Sequence, residues 1–387
     1  MENIVSIHNS WISCDPIKGC TLGCKYCFVQ QINENHAMIE YAHKMYKLSF
    51  EQQLKLDLEN NRFLQLAEML SPFSDNSLAN FPISIGNNTD MFSPSNVEHL
   101  KTFITWYDGQ ISYKKRPISI VTKQKIDISF IEFVAKLDLE IYLFNSLTYL
   151  DELEPNAVGT QERLEQLSYV KKFIERNQIS NIKLIYSLRP FMLRKEELGV
   201  LDFNLLISTF DAFVITPVNT YGDGETYRDI EIMNRFFDSY SIYDGMTWLE
   251  YCEVVTKDVF QKFSDNGVFA FLEAACAISF IQKKAGYSGC KYYSNTSFLC
   301  DRCKVDNIGQ YQRCNIFFEQ KVDVSAVMKN LVNSYSFDGN IIFIHDEIDQ
   351  NLYNLLRMTT GKRVVANSIK RSSLQSAGLE DSLIRRS

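Results

Sequence analysis

Short apolar runs rich in Ile, Val and Phe alternate with amphipathic stretches through the first half of the chain. The runs fall at Ile4 to Ser13, Pro82 to Gly86, Pro117 to Thr122, Ile141 to Asn145, Ile182 to Leu188 and Ala212 to Thr216. Bounded by turn-forming residues, each reads as a strand. Between them, Phe50 to Leu70, Asn96 to Trp106, Ile128 to Leu137 and Gln161 to Arg176 read as helices, with Leu54, Leu58, Leu66 and Leu70 at helical intervals in the first. Ser95 and Thr160 are the expected N-caps of the second and last. Strands alternating with helices predict an α/β fold on a parallel sheet, either open or curved into a partial barrel. In both arrangements chemistry collects at the C-terminal ends of the strands.

From about Tyr227 to Lys284 the pattern turns helical, and a cysteine-rich, turn-rich stretch runs on to Cys314. A helix over Ser325 to Ser334 and a short strand over Ile341 to His345 follow. The polar end beyond Gly361 carries Lys362, Arg363, Lys370, Arg371, Arg385 and Arg386, and reads as a mobile tail or a basic arm. Three units are expected: 1–226, 227–320 and 321–387.

Composition narrows the class. No run of about 18 apolar residues is present, which argues against a membrane span, and no secretory signal opens the chain. A soluble cytoplasmic protein is expected, in which ten cysteines serve as thiols and metal ligands rather than disulfides. A net charge of −7 gives no global attraction for a polyanion. None of the five histidines has metal-ligand spacing.

Cys20, Cys24 and Cys27 put three thiols within eight residues just after the first strand. Such a loop can wrap one metal centre. Three ligands are one short of a closed site, so an external molecule can bind at the open position. A zinc knuckle or a set of buried thiols is the alternative reading. The spacing, with Tyr26 as the aromatic residue before the last cysteine, resembles the signature of the radical S-adenosylmethionine (SAM) superfamily. Segments Asp15 to Cys20, Ile85 to Asp90 followed by Pro94, Ser119 to Lys123, and Leu153 to Asn156 with Arg163 and Leu164 resemble its spore photoproduct lyase-like branch.

This resemblance implies a partial (β/α)6 barrel of the TIM-like type. It implies a [4Fe-4S] cluster on Cys20, Cys24 and Cys27, with SAM on the fourth iron. One-electron cleavage of SAM then yields a 5′-deoxyadenosyl radical that abstracts hydrogen from substrate. An electron donor such as flavodoxin or ferredoxin is implied too. Asn87, Asn88, Thr89, Asp90, Thr122, Lys123, Asn145, Ser146 and Arg189 lie at strand ends, where amides, hydroxyls and charges can hold SAM; turn, capping and solvent-facing roles are the alternatives. Cys14 ends a strand beside the cluster loop and is a candidate hydrogen-atom donor to a product radical, or a buried thiol.

Cys290, Cys300, Cys303 and Cys314, with 9, 2 and 10 intervening residues and a turn at Asn307 to Gly309, form a second metal-binding pattern. It resembles the SPASM or twitch auxiliary-cluster regions and implies a second [4Fe-4S] cluster; a structural zinc site is the rival. Cys252 and Cys276 are read as small buried hydrophobes. The substrate classes in view are a nucleic-acid base or lesion, and a peptide or small molecule. A non-catalytic iron–sulfur or zinc interaction protein is the third reading.

Overall fold

A computed structural model describes residues 5–7, 12–14, 17, 20–27, 82–109, 116–218, 236, 238–240, 248–286, 298–319, 322–329, 331–360 and 362–370. The helix expected over 50–70, and Cys290, lie outside them.

The main sheet carries β1 (Val5–Ile7), β2 (Ile12–Cys14), β3 (Ile83–Ile85), β4 (Ile118–Thr122), β5 (Ile141–Ser146), β6 (Ile182–Phe191), β7 (Ala212–Pro217) and β8 (Ala270–Phe271), side by side in chain order. Strands β2 to β8 are parallel. Between them run α1 (Val97–Asp108), α2 (Ile128–Val134), α3 (Thr160–Arg176), α4 (Phe203–Thr209) and α5 (Trp248–Asp265). The class is mixed α/β, as expected, with two differences in strand count. The single strand expected over 4–13 is two strands, β1 and β2, in which Val5 pairs antiparallel with Cys14. Strand β8, too short to show a period, adds a seventh parallel strand and carries the sheet past residue 226.

Parallel strands buried on both faces become near-continuous Ile, Leu and Phe runs. The register sorts them by face. Cys14, Ile85, Ile120, Leu143 and Leu184 form one row across the sheet, in the main core shared with Leu100, Phe103 and Ile104 of α1 and Leu164, Leu167 and Val170 of α3. Ser13, Ser84, Ser119 and Tyr142 form the neighbouring row, turned the other way by the pleat. On this inner face, Tyr142, Phe144, Ile185, Ala212 and Val214 make a smaller core with α6 (Ala274–Ile281). The cap of α1 is Asn96 rather than Ser95, and Thr160 is the first helical residue of α3, held by the Asp151 carboxylate.

Beyond the sheet, α7 (Phe298–Asp306) and α8 (Ile308–Glu319) meet at Asn307, where a turn was expected. Helix α9 (Val324–Met328) is followed by β9 (Tyr335–Phe337), β10 (Ile341–Asp349), α10 (Gln350–Thr360) and β11 (Arg363–Lys370). The expected mobile tail is therefore, over 363–370, a strand parallel to β10. Val364 and Ala366 are buried opposite Ile342 and Ile344, with Val365 between them turned to the other face. Helix α10 packs against β1 and joins this second sheet to the first.

Candidate metal loop and its charged support

The three cysteines sit on the loop that leaves β2. Gly23 has φ +66, a left-handed conformation that glycine adopts without steric cost. The Cys27 N–H donates to the Cys24 carbonyl (3.0 Å), closing the turn. The loop is tied to the segment after β5: the Lys25 N–H donates to the Leu153 carbonyl (2.9 Å) and Asn156 Nδ2 to the Thr21 carbonyl (3.0 Å). Cys24 is buried, while Cys20 and Cys27 are half-buried and none of the three is in a disulfide. Burial pushes the Cys24 thiol up to about 12, with the Lys123 charge opposing, and burial raises Cys20 as well. Thiolates at this place need a cation to offset their desolvation.

Behind the loop lies a buried ionic cluster centred on Glu154. Its Oε1 accepts from the Tyr26 hydroxyl, from Lys123 Nζ (2.9 Å) and from Thr148 Oγ1 (2.8 Å), while Oε2 accepts from Arg163 Nη2 (2.8 Å). Burial alone would raise this carboxyl, but Lys123, Arg163 and the Tyr26 hydrogen bond outweigh it and hold it below the usual carboxylate range. Burial and the adjacent Glu154 charge push the Tyr26 hydroxyl well up, so it stays a donor. Arg163 also donates to the Ser146 carbonyl (2.6 Å). Lys123 Nζ donates to Ser146 Oγ, which in turn donates to the Arg189 carbonyl.

At the end of β3, Gly86 (φ +82) turns the chain into Asn87 to Asp90. Both Asp90 oxygens are taken by the protein: Phe92 N–H (2.9 Å), Thr122 Oγ1 (2.9 Å) and Lys123 N–H (2.7 Å) donate to them. Burial raises this carboxyl, opposed by those bonds. Asn96 Nδ2 donates to Thr89 Oγ1 (3.1 Å), and Asn87 Nδ2 donates to Ser13 Oγ (2.8 Å). Asn88 is half-buried beside them. Asn87, Thr89 and Asp90 thus fix the loop, with Asp90 bridging to the next strand.

The face each residue takes favours the buried-thiol reading of Cys14 and turns Asn145 away from the inner face. Cys14 is wholly buried in the helix-side row, and the inner-facing residue of its strand is Ser13. Asn145 likewise follows Leu143 to the helix side, where its Nδ2 donates to the Leu143 carbonyl (2.8 Å). Ser146 takes the inner face in its place. Arg189 is exposed there, yet surrounding protein desolvates it and lowers its pKa, opposed by Glu273. Glu273, just past β8, is raised by burial, with Arg189 and Arg357 opposing.

Of the second pattern, Cys303 and Cys314 lie on α7 and α8, and Cys300 one turn before Cys303. Cys276 packs half-buried against the smaller core, as expected of a small hydrophobe, and lines one cavity with Cys303 and Cys314. Among the described residues, no three His, Cys, Asp or Glu side chains are gathered as a single metal ion requires. The sequence reasoning did not single out Glu154, Arg163 or Glu273 as site residues. A signal existed for Arg163, which shares the apolar stripe of Leu167, Val170 and Ile174.

No family model matches the chain, and no curated protein matches it. Among solved structures it is similar to a spore photoproduct lyase double mutant with bound AdoMet and dinucleoside spore photoproduct. The identity is 13% and the TM-score 0.37, over 60% of this chain; the chain spans 62% of that one. No helix among the described residues is long and apolar enough to cross a membrane.

Proposed function

We propose that the chain is a radical SAM enzyme whose [4Fe-4S] cluster is held by Cys20, Cys24 and Cys27. The observation that carries the reading is this loop of three cysteines at the C-terminal edge of a parallel sheet, beside Lys123 and the Glu154 cluster. The donor set suits the group: three soft thiols, two of them half-buried, with the fourth ligand left to an external molecule. When bound with SAM, the cluster supplies the electron that splits SAM into methionine and a 5′-deoxyadenosyl radical.

The chain's own residues prepare the place. Glu154 pins Lys123 near the Tyr26 ring, 5.3 Å from its centroid, and so keeps a cation beside the cysteine loop. Ser146 reaches the inner face and anchors that ammonium, whose remaining N–H is a donor for the carboxylate of SAM. Ser13 and Ser84 on β2 and β3 hydrogen-bond Asn87 and so tie the loop after β3 to the inner face. A net charge of −7 gives no global attraction for a polyanion, which favours the peptide or small-molecule class over nucleic acid.

The test is spectroscopic. Anaerobically reconstituted and reduced protein should give a cluster electron-spin signal that changes when SAM is added. A signal indifferent to SAM contradicts the reading.

A further inference from the structure

We propose that Lys123 tunes the electron affinity of the cluster: its ammonium, fixed behind the cysteine loop, raises the midpoint potential and so eases entry of the electron that SAM cleavage requires. The inference rests on the reading that Cys20, Cys24 and Cys27 hold a [4Fe-4S] cluster, and it gives Lys123 a task that precedes any contact with SAM.

Lys123 is tethered at both ends. Its backbone N–H donates to Asp90 Oδ2 (2.7 Å), which fixes the root of the side chain at the end of β4. At the tip, Nζ donates to Glu154 Oε1 (2.9 Å) and to Ser146 Oγ, and Ser146 is itself anchored by donating to the Arg189 carbonyl (2.6 Å). The same Glu154 oxygen accepts from the Tyr26 hydroxyl, while Nζ stands 5.3 Å from the Tyr26 ring centroid. Ring, carboxylate and ammonium therefore hold one another in place, and Tyr26 is the chain neighbour of Cys27. The Lys123 side chain is only 14% exposed, so little solvent screens its charge. Lys25 provides the contrast: it adjoins Cys24 in sequence, yet it is exposed to water.

The sign of the charge decides the direction of the effect. Behind the loop two cations, Lys123 and Arg163, face one carboxylate, Glu154. Asp90 acts on the Cys20 side, and its oxygens are taken by the Thr122 hydroxyl and the Phe92 and Lys123 N–H groups. Burial is the main influence against a thiolate at Cys24, and Lys123 is the main influence for one. One electron passes from a low-potential donor to the cluster, and no bond is made or broken at Lys123. The reduced cluster is the more negative form, so a fixed cation beside its sulfurs favours it. Net charge, hydrogen bonds and solvent exposure are the means by which a protein sets such potentials, and Lys123 supplies the first in a place where the third is small.

The experiment is a redox titration of the full chain, reconstituted anaerobically with iron and sulfide and kept free of SAM, followed by the electron-spin signal of the reduced cluster. The signal absent from Cys24→Ala identifies the cluster being titrated. At one fixed solution potential, Lys123→Met should lower the ratio of reduced to oxidised cluster about tenfold, equivalent to about 59 mV for a one-electron couple. Lys123→Arg keeps the charge and Lys25→Met removes a solvated one, so both should stay within about twofold of the parent. Glu154→Gln should move the ratio the opposite way; should that variant not fold, the Lys123 and Lys25 series decides alone. Circular dichroism and iron content establish that each variant is folded and loaded. A fall under about threefold in Lys123→Met, or an equal fall in Lys123→Arg or Lys25→Met, overturns the proposal. Parent protein that takes up no cluster overturns both readings. A loaded cluster whose signal ignores SAM defeats the SAM reading alone, and one that responds to SAM but ignores Lys123 defeats this proposal alone.

Discussion

Replacing Glu154 by Gln removes one negative charge from a cluster in which it faces Lys123 and Arg163. The Arg163 side chain is only 2% exposed and cannot reach water, while that of Lys123, 14% exposed, can relax partly toward solvent. An amide can still accept from Tyr26 or Thr148, but it presents N–H groups toward a guanidinium that has only donors. Breaking a buried ion pair by removing one partner costs about 3–5 kcal/mol. That is a large share of the roughly 5–15 kcal/mol by which a domain is stable. Urea unfolding of the metal-free protein at neutral pH should register this loss. The double variant Glu154→Gln with Arg163→Met should lose less than the two single losses together, with a coupling of up to about 3 kcal/mol. The pH dependence follows the same pair. The folded pKa of Glu154 lies below the ordinary 4.5, so its contribution is complete above that value and is lost as pH falls through the folded pKa. Glu154→Gln should flatten that acid limb. A loss under about 1 kcal/mol, or strict additivity with Arg163→Met, refutes the buried cluster.

Three other perturbations test separate parts of the account. Phe103→Ala empties a fully buried site of α1 and should cost about 3–5 kcal/mol in denaturant unfolding, against a fraction of that for an exposed change such as Glu98→Ala. Gly86→Ala combines a positive φ with a Cβ that would meet Met91 Cγ at 2.7 Å; it should cost about 1–3 kcal/mol and weaken SAM binding measured by calorimetry. Val364→Asp puts a charge into the buried seam between β10 and β11 and should lower stability by at least about 3 kcal/mol, where a mobile tail would show no change in melting midpoint.

The strands from β3 to β7 could be read directly because a parallel sheet covered on both faces requires continuous apolar runs, and turn residues bound each of them. Strand β8 has two residues, too few for any period, and its place depends on pairing with Phe213 and Val214. In β11, the short apolar run Val364 to Ala366 was hidden by the basic and polar residues around it. The cysteine loop was visible because its spacing is local. Facing was less accessible: a strand places neighbours on opposite sides, so Cys14 and Ser13, or Asn145 and Ser146, exchange roles on a one-residue difference. The Glu154 cluster joins Tyr26, Lys123, Thr148 and Arg163 from four separate segments, and only the folded chain brings them together.

The central claim is that the loop of Cys20, Cys24 and Cys27 performs SAM chemistry. Its most direct measurement is chromatographic detection of 5′-deoxyadenosine after the reconstituted, reduced full chain is incubated anaerobically with SAM. The account predicts 5′-deoxyadenosine from the parent and none above background from Cys24→Ala. No product from the parent, or equal product from both, contradicts it.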